Sequence, residues 1–312
     1  MDRFMLFARK SLGVEINPAG VAFALLSGST SFPRLDRVAY APMVPGSVRV
    51  SLRDPNILDP HSFIDAVRSA HNLLLHSGTR LSISLPDTVG RIMMLDVEGR
   101  FKSRAEGLDI IRWKLKKNIP FDIADTHLDY QQLTVRENGD MALMVALVSR
   151  AVISQYEELL VSAGFTPVRI DFNSFNLYRT FESRLATQDD ITLISFFEGT
   201  LSIQVFADGV LEFQRVKDLS GSGAVDSRVY MEINSSLLVY RDRFPERTMQ
   251  HVACIAPPDV ARDFSNMVAE AAGCSPTFLE VKSIVKPADT APADQETLFP
   301  YTTAIGAALR SL

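Results

Sequence analysis

Cysteine is nearly absent: the 312 residues hold two, Cys254 and Cys274, too far apart for a CxxC pair and without a histidine pattern beside them. That excludes a disulfide-stapled secreted domain and fits a reducing compartment. A basic excess is missing too. The net charge is -5, whereas a general nucleic-acid binder carries a basic face, so no nucleic acid is expected as a partner. No run approaches the roughly 20 apolar residues that a spanning helix needs; the best, residues 141–148, ends at Arg150. No long apolar region follows the basic residues of the first ten positions, where Glu15 interrupts, which argues against a signal peptide. Residues 1–10 read as a leader packing on the first strand, or as a short amphipathic element touching a membrane or partner. The expectation is a cytoplasmic protein that meets a membrane only peripherally.

Familiar catalytic signatures are missing as well. There is no GxxxxGK[ST], no GxSxG and no HExxH. His71 and His76 stand five apart on a predicted helix, miss the one-turn spacing of a metal pair, and read as surface residues. What is present is an ordinary globular composition, 46% hydrophobic and 22% charged, long enough for two domains and a sizeable core.

One layout is written twice. Gly13-Val14-Glu15-Ile16-Asn17 reads as a strand, Pro18-Ala19-Gly20 as a turn and residues 21–26 as a returning strand, with a third near Val38-Ala39-Tyr40. From Ile191 the pattern recurs: strands at 191–197, 201–206 and 210–216, separated by Glu198-Gly199 and Ala207-Asp208-Gly209. Two meanders, each followed by helical sequence, predict two related α/β domains facing across a cleft. That layout resembles the actin-like ATPases, a bilobed RNase H-like duplication in which the first turn of each meander grips nucleotide phosphates.

The first meander leads to a helix at 59–76, capped by Asp59 or Ser62 and stopped by Gly78, then a strand at 81–85. A β-α-β-β-α insert follows: a strand at 90–97, a helix at 105–118, a hairpin of 129–136 and 141–148 around Asn138-Gly139, and a helix at 154–163. The cations late in its first helix complement the helix dipole and read as that rather than as an anion site. Beyond the second meander come a helix at 226–243, a strand at 251–256, a helix at 260–272 and a short strand at 277–281. Residues 286–297, rich in Pro, Ala and Asp, predict a mobile surface loop, and 301–312 a closing helix. The resulting division is a first domain of 1–86 and 167–189 with the closing helix, an insert of 87–166, and a second domain of 190–300.

The insert carries a finer resemblance. Ile110-Ile111-Arg112-Trp113, Ile119-Pro120-Phe121 and Leu128-Asp129-Tyr130 resemble the family of the type IV pilus assembly protein PilM, with its helix, "IPF" stop and "LDY" strand. Ala163-Gly164-Phe165, Ile170-Asp171, Phe175-Asn176-Leu177, Glu232-Ile233 with Ser236-Leu237, and the stretch from Ala304 to Arg310 follow in the family's order. FtsA and the cytoplasmic part of GspL share that fold. The resemblance implies a cytosolic adaptor at the inner membrane. Its groove beside the insert would bind the short N-terminal tail of a PilN-like single-pass membrane protein, within a pilus or type II secretion platform. Ile92, Met94, Trp113, Ile119 and Phe121 are the candidate apolar lining, although Trp113 reads first as core packing.

The phosphate chemistry is depleted relative to that family. A phosphate turn needs an acid for Mg²⁺ and glycines for close backbone approach. Glu15 keeps an acid, but Asn17 stands for a glycine and Pro18 removes a donor. In the second turn Ser195 replaces the acid and Phe197 the glycine, and Pro257-Pro258 replaces the adenosine-side glycines. Asp171, Gly221 and Gly223 survive, reading first as a structural acid and turn glycines. If ATP and Mg²⁺ bind at all, the contacts are Glu15, Asn17, Asp171, Gly221 and Gly223. The expectation is a chain that works without hydrolysing ATP. The alternatives are an ATPase or kinase-type enzyme using Glu15 and Asp171, and an FtsA-like self-polymerising protein.

Overall fold

The computed structural model describes residues 9–117, 119, 122–220 and 225–312. The leader at 1–8, Phe121, Gly221 and Gly223 lie outside the described residues. The first meander is β1 (Lys10–Ile16), β2 (Gly20–Ser29) and β3 (Phe32–Pro42), antiparallel throughout. In β2 all but the last two residues are buried, as a strand covered on both faces requires. Asp59 caps α1 (Pro60–Leu73) by accepting from the N–H groups of His61 and Ser62, with Pro60 at the first position. The helix ends well before Gly78: Leu75 takes a left-handed φ of 50°, leaving Leu74 buried and Leu75 exposed. His71 is half-buried there, its ring against Phe23 and Phe165 and its Nε2 bonded to the Gly78 carbonyl, so it is not the surface residue its sequence position suggests.

β4 (Arg80–Leu85) runs parallel to β1. Then come β5 (Gly90–Val97), α2 (Arg104–Leu115), β6 (Thr126–Val135), β7 (Met141–Ser149) and α3 (Arg150–Ser162). The Asn138-Gly139 turn forms as expected, Gly139 adopting φ 87°. β5, β7 and β6 make a three-stranded sheet whose core packs under α2 around Ile111, Leu115, Leu143 and Val145. α3 packs elsewhere. Its Val152, Tyr156 and Leu160 join the core beneath β1, β2 and α1.

β8 (Thr166–Phe172) pairs parallel to β4, and α4 (Asn173–Leu185) leaves its end. The second half is β9 (Ile191–Phe197), β10 (Thr200–Ala207), β11 (Val210–Asp218), α5 (Ser227–Arg243), β12 (Val252–Ile255), α6 (Ala261–Ala272) and β13 (Thr277–Phe278). Its sheet order, β11-β10-β9-β12-β13, repeats the β3-β2-β1-β4-β8 order of the first, with the same strand directions. The duplication predicted from the two meanders is therefore present in the topology.

Two closing segments tie the halves together. Residues 286–297 are not a free loop: β14 (Lys286–Pro287) pairs with β3, the Ala288 N–H reaches the Leu35 carbonyl, and α7 (Gln295–Leu298) is anchored by buried Gln295 and Leu298. Low hydrophobicity misleads here because backbone pairing to β3 and a few buried side chains are enough to hold the strap. Finally α8 (Thr302–Leu309), buried along its whole length, lies on β1, β2 and β4 and crosses α4. The approach requires glycine: a Cβ on Gly13 would meet the Ala304 carbonyl oxygen at 1.9 Å, and one on Gly306 the Asn176 oxygen at 1.9 Å. Among the described residues no helix is long and apolar enough to cross a membrane.

Candidate functional site

The cleft brings Glu15 and Asn17 together at the end of β1. Asn17 folds over the turn that follows. Its Oδ1 accepts from the N–H groups of Ala19 (2.7 Å) and Gly20 (2.9 Å), while its Nδ2 lies 3.1 Å from each Glu15 oxygen. This is an Asx turn. Pro18 has no N–H, so the donors a phosphate would want at this turn are missing or already engaged. Tyr40 closes the outside, donating to the Ala19 carbonyl at 2.8 Å with its ring against Gly20.

Glu15 is buried, and its proton follows from that. Burial first, and then the charge of Glu198, push its pKa up to about 8, against the pull of hydrogen bonds from Asn173 and Asn17. A carboxyl that is neutral at pH 7 is a poor partner for Mg²⁺. Glu198 itself stands at the β9–β10 turn in a left-handed φ of 49°; much of the side chain is exposed, yet packing around its carboxyl raises its pKa. Ser195, where the second acid is expected, is buried and bonded to Ser202 at 2.7 Å. Asp171 is not part of this constellation. In register Glu15, Ser84 and Asp171 are level on three successive strands, which separates the two carboxylates by roughly 10 Å at the usual strand spacing. Asp171 instead pairs with Arg310 at 2.9 Å.

Two adjoining cavities lie on that Asp171 side. One of about 750 Å³ is lined from β6, β7, β8, α4, β10 and β11, and includes Arg169, Asp171, Phe175, Tyr178, Gln204 and Arg310. A second, of about 280 Å³, shares Asp129, Ala146, Arg169, Asp171 and Phe175 with it and continues along β8 past Val168 and Phe172. Together they make a groove between β6, an edge strand of the three-stranded sheet, and β8, an edge strand of the six-stranded sheet. Its floor is apolar (Leu85, Val148, Ile153, Phe172), and its rim is charged (Asp129, Glu157, Arg169, Asp171). Tyr178 stacks on Phe206 at 4.6 Å in the wide end. Neither cavity includes Glu15, Asn17 or Glu198.

The predicted lining residues divide. Ile92 and Met94 pair with Ala146 and Met144, both of which line the wide cavity, so they share that face of the sheet one strand further out. Ile119 packs with the core under α2. Trp113 is on α2 and 77% exposed, so it is not core packing. Ile111 is the buried neighbour, and two helical steps turn Trp113 to the opposite side. Sequence reasoning did not single out Gln204, Phe175, Tyr178 or Arg310 as lining residues; Phe175 and Arg310 stand in stretches that carry the resemblance, but the groove is assembled from seven separated stretches, and only the fold brings them together.

No family model and no curated protein matches the chain. Among solved structures it is similar to the PilM-PilN type IV pilus biogenesis complex, at 19% identity over 96% of this chain and 98% of that chain, with a TM-score of 0.79. It is also similar to the cytoplasmic domain of EpsL, an inner membrane component of the type II secretion system of Vibrio cholerae. There the identity is 10%, the coverage 97% and 96%, and the TM-score 0.53. At these identities the likeness carries the fold. The chain has the actin-like ATPase fold with an inserted β-α-β-β-α unit, as the sequence resemblance implied.

Proposed function

We propose that this chain is a non-hydrolysing adaptor of an inner-membrane assembly platform of the pilus or type II secretion kind. Its groove would hold a short extended segment from the N-terminal cytosolic tail of a PilN-like single-pass membrane protein, and through that tail the chain would sit at the membrane. The observation that carries this reading is the groove itself, an apolar trough bordered by two strand edges, β6 and β8, that are unpaired among the described residues. Free edges offer backbone hydrogen bonds for register, and apolar pockets offer side-chain selection. The likeness to a chain from a PilM-PilN complex supports the same partner class. On this reading the inserted unit (87–166) supplies one wall of the groove through β6 and β7, and a first domain (1–86 and 167–189, with 301–312) and a second (190–300) supply the others.

The test is fluorescence anisotropy of the full chain with a labelled peptide from the tail of the PilN-type protein encoded in the same genome. Phe175→Ala removes a half-buried ring that borders both cavities and should weaken binding about tenfold or more, with little change in melting temperature. Equal binding by the variant, or no binding by the wild type, defeats the placement.

Nucleotide binding is tested separately, by melting in millimolar Mg-ATP. A ligand at a hundred times its Kd adds about 2.7 kcal/mol, roughly a 5 °C rise for a chain of this size. No rise is expected, given the engaged turn at Asn17 and the neutral Glu15. A clear rise returns the ATPase reading.

A further inference from the structure

A chain of hydrogen bonds runs from beneath α4 to the wide cavity. Asp87, buried, accepts from the Ser174 N–H at 3.0 Å and from the Ser174 hydroxyl. Gln214 Nε2 donates to Ser174 Oγ at 3.2 Å, and Gln204 Nε2 donates to Gln214 Oε1 at 3.3 Å. Among the described residues the Oε1 of Gln204 has no partner, although the residue is 1% exposed and lines the cavity.

The direction of this chain fixes which end of Gln204 is free. Amide oxygen and nitrogen are assigned by their partners, and here the partners decide. Burial raises the Asp87 pKa to about 6, which leaves it ionised and acceptor-only at neutral pH. Ser174 therefore spends its one hydroxyl proton on Asp87 and accepts from Gln214. Gln214 must then present its nitrogen to Ser174 and its oxygen to Gln204. Only the Gln204 oxygen remains, and a buried carbonyl without a donor is destabilising unless something supplies one.

We infer that the Gln204 carbonyl is a selectivity contact of the groove, accepting an N–H from the main chain of a bound extended peptide. The inference rests on the peptide-holding reading above and adds its partner atom. Gln204 lies on β10, in the sheet of the second half, so a peptide lying between β6 and β8 would also be held from the opposite lobe.

The experiment is an amide-to-ester scan of the same tail peptide, each ester replacing one backbone N–H by oxygen, titrated against wild type and Gln204→Met. At one position the ester should bind the wild type about tenfold more weakly and Gln204→Met less than twofold more weakly than the parent peptide. A structural role for Gln204 would shift all peptides alike, without that coupling. If every ester loses the same factor on both proteins, the inference is wrong while the groove reading stands. If the parent peptide fails to bind the wild type, the groove reading falls and takes this contact with it. Should Gln204→Met not fold, Gln204→Leu takes its place with the same expected coupling; equal ester penalties on both proteins overturn the contact.

Discussion

Glu15→Gln should make this protein more stable at pH 8 by up to roughly 4 kcal/mol, and leave it within about 1 kcal/mol of the wild type at pH 5. The sign follows from the proton. In the folded state Glu15 holds it up to about pH 8, whereas the unfolded carboxyl releases it near the ordinary 4.5. Between those values the native state binds the extra proton, so stability falls as pH rises, by about 1.4 kcal/mol per unit from this group. Its contribution is complete below the ordinary carboxylate range and is lost as pH passes the folded value. Asp87, raised to about 6, slopes the same way over a narrower window. Glutamine keeps an oxygen for Asn173 and has nothing to ionise. Urea midpoints of both proteins from pH 5 to pH 8 check this; parallel curves would mean that Glu15 does not retain its proton.

Gly306→Ala and Gly13→Ala should each remove about 3 kcal/mol or more, despite adding a single methyl group. At both positions the new carbon would meet a backbone oxygen at 1.9 Å. Backbone cannot rotate aside as a long side chain can. Relief at Gly306 means lifting α8 from α4, where Thr180 Oγ1 also donates to the Thr302 carbonyl at 2.8 Å. Relief at Gly13 means lifting α8 from β1, where Ser11 Oγ donates to the Ala308 carbonyl at 2.7 Å. Circular-dichroism melting decides it. A variant that melts within a degree or two of the wild type would show that the helix has room to spare.

How legible this was from the sequence depended on distance along the chain. The meanders, the Asn138-Gly139 hairpin and the doubled order rest on alternation and turn residues a few positions apart, and all appear in the fold. Trp113 on the outside of α2 was readable by helical arithmetic from Ile111, but an aromatic residue in an apolar neighbourhood invites a core assignment. The protonation of Glu15 was not readable. The acid is visible, but the residues that seal it include Asn173, 158 positions away. The same holds for the groove, where Gln204 meets β6 and β8 only through the full fold, and for the strap at β14, whose register against Arg34 and Leu35 leaves no pattern in either segment.

The buried position of α8 has a consequence for synthesis. β1 emerges from the ribosome first, yet the helix that covers it is made almost three hundred residues later. At typical elongation rates that gap is roughly 15–60 s. Throughout that time the face of the first sheet that α8 covers, including Ala24 and Leu26, has no permanent cover. The first half of the chain therefore folds to completion only after the second half has been made, and slower translation lengthens its exposure to chaperones and to aggregation alike.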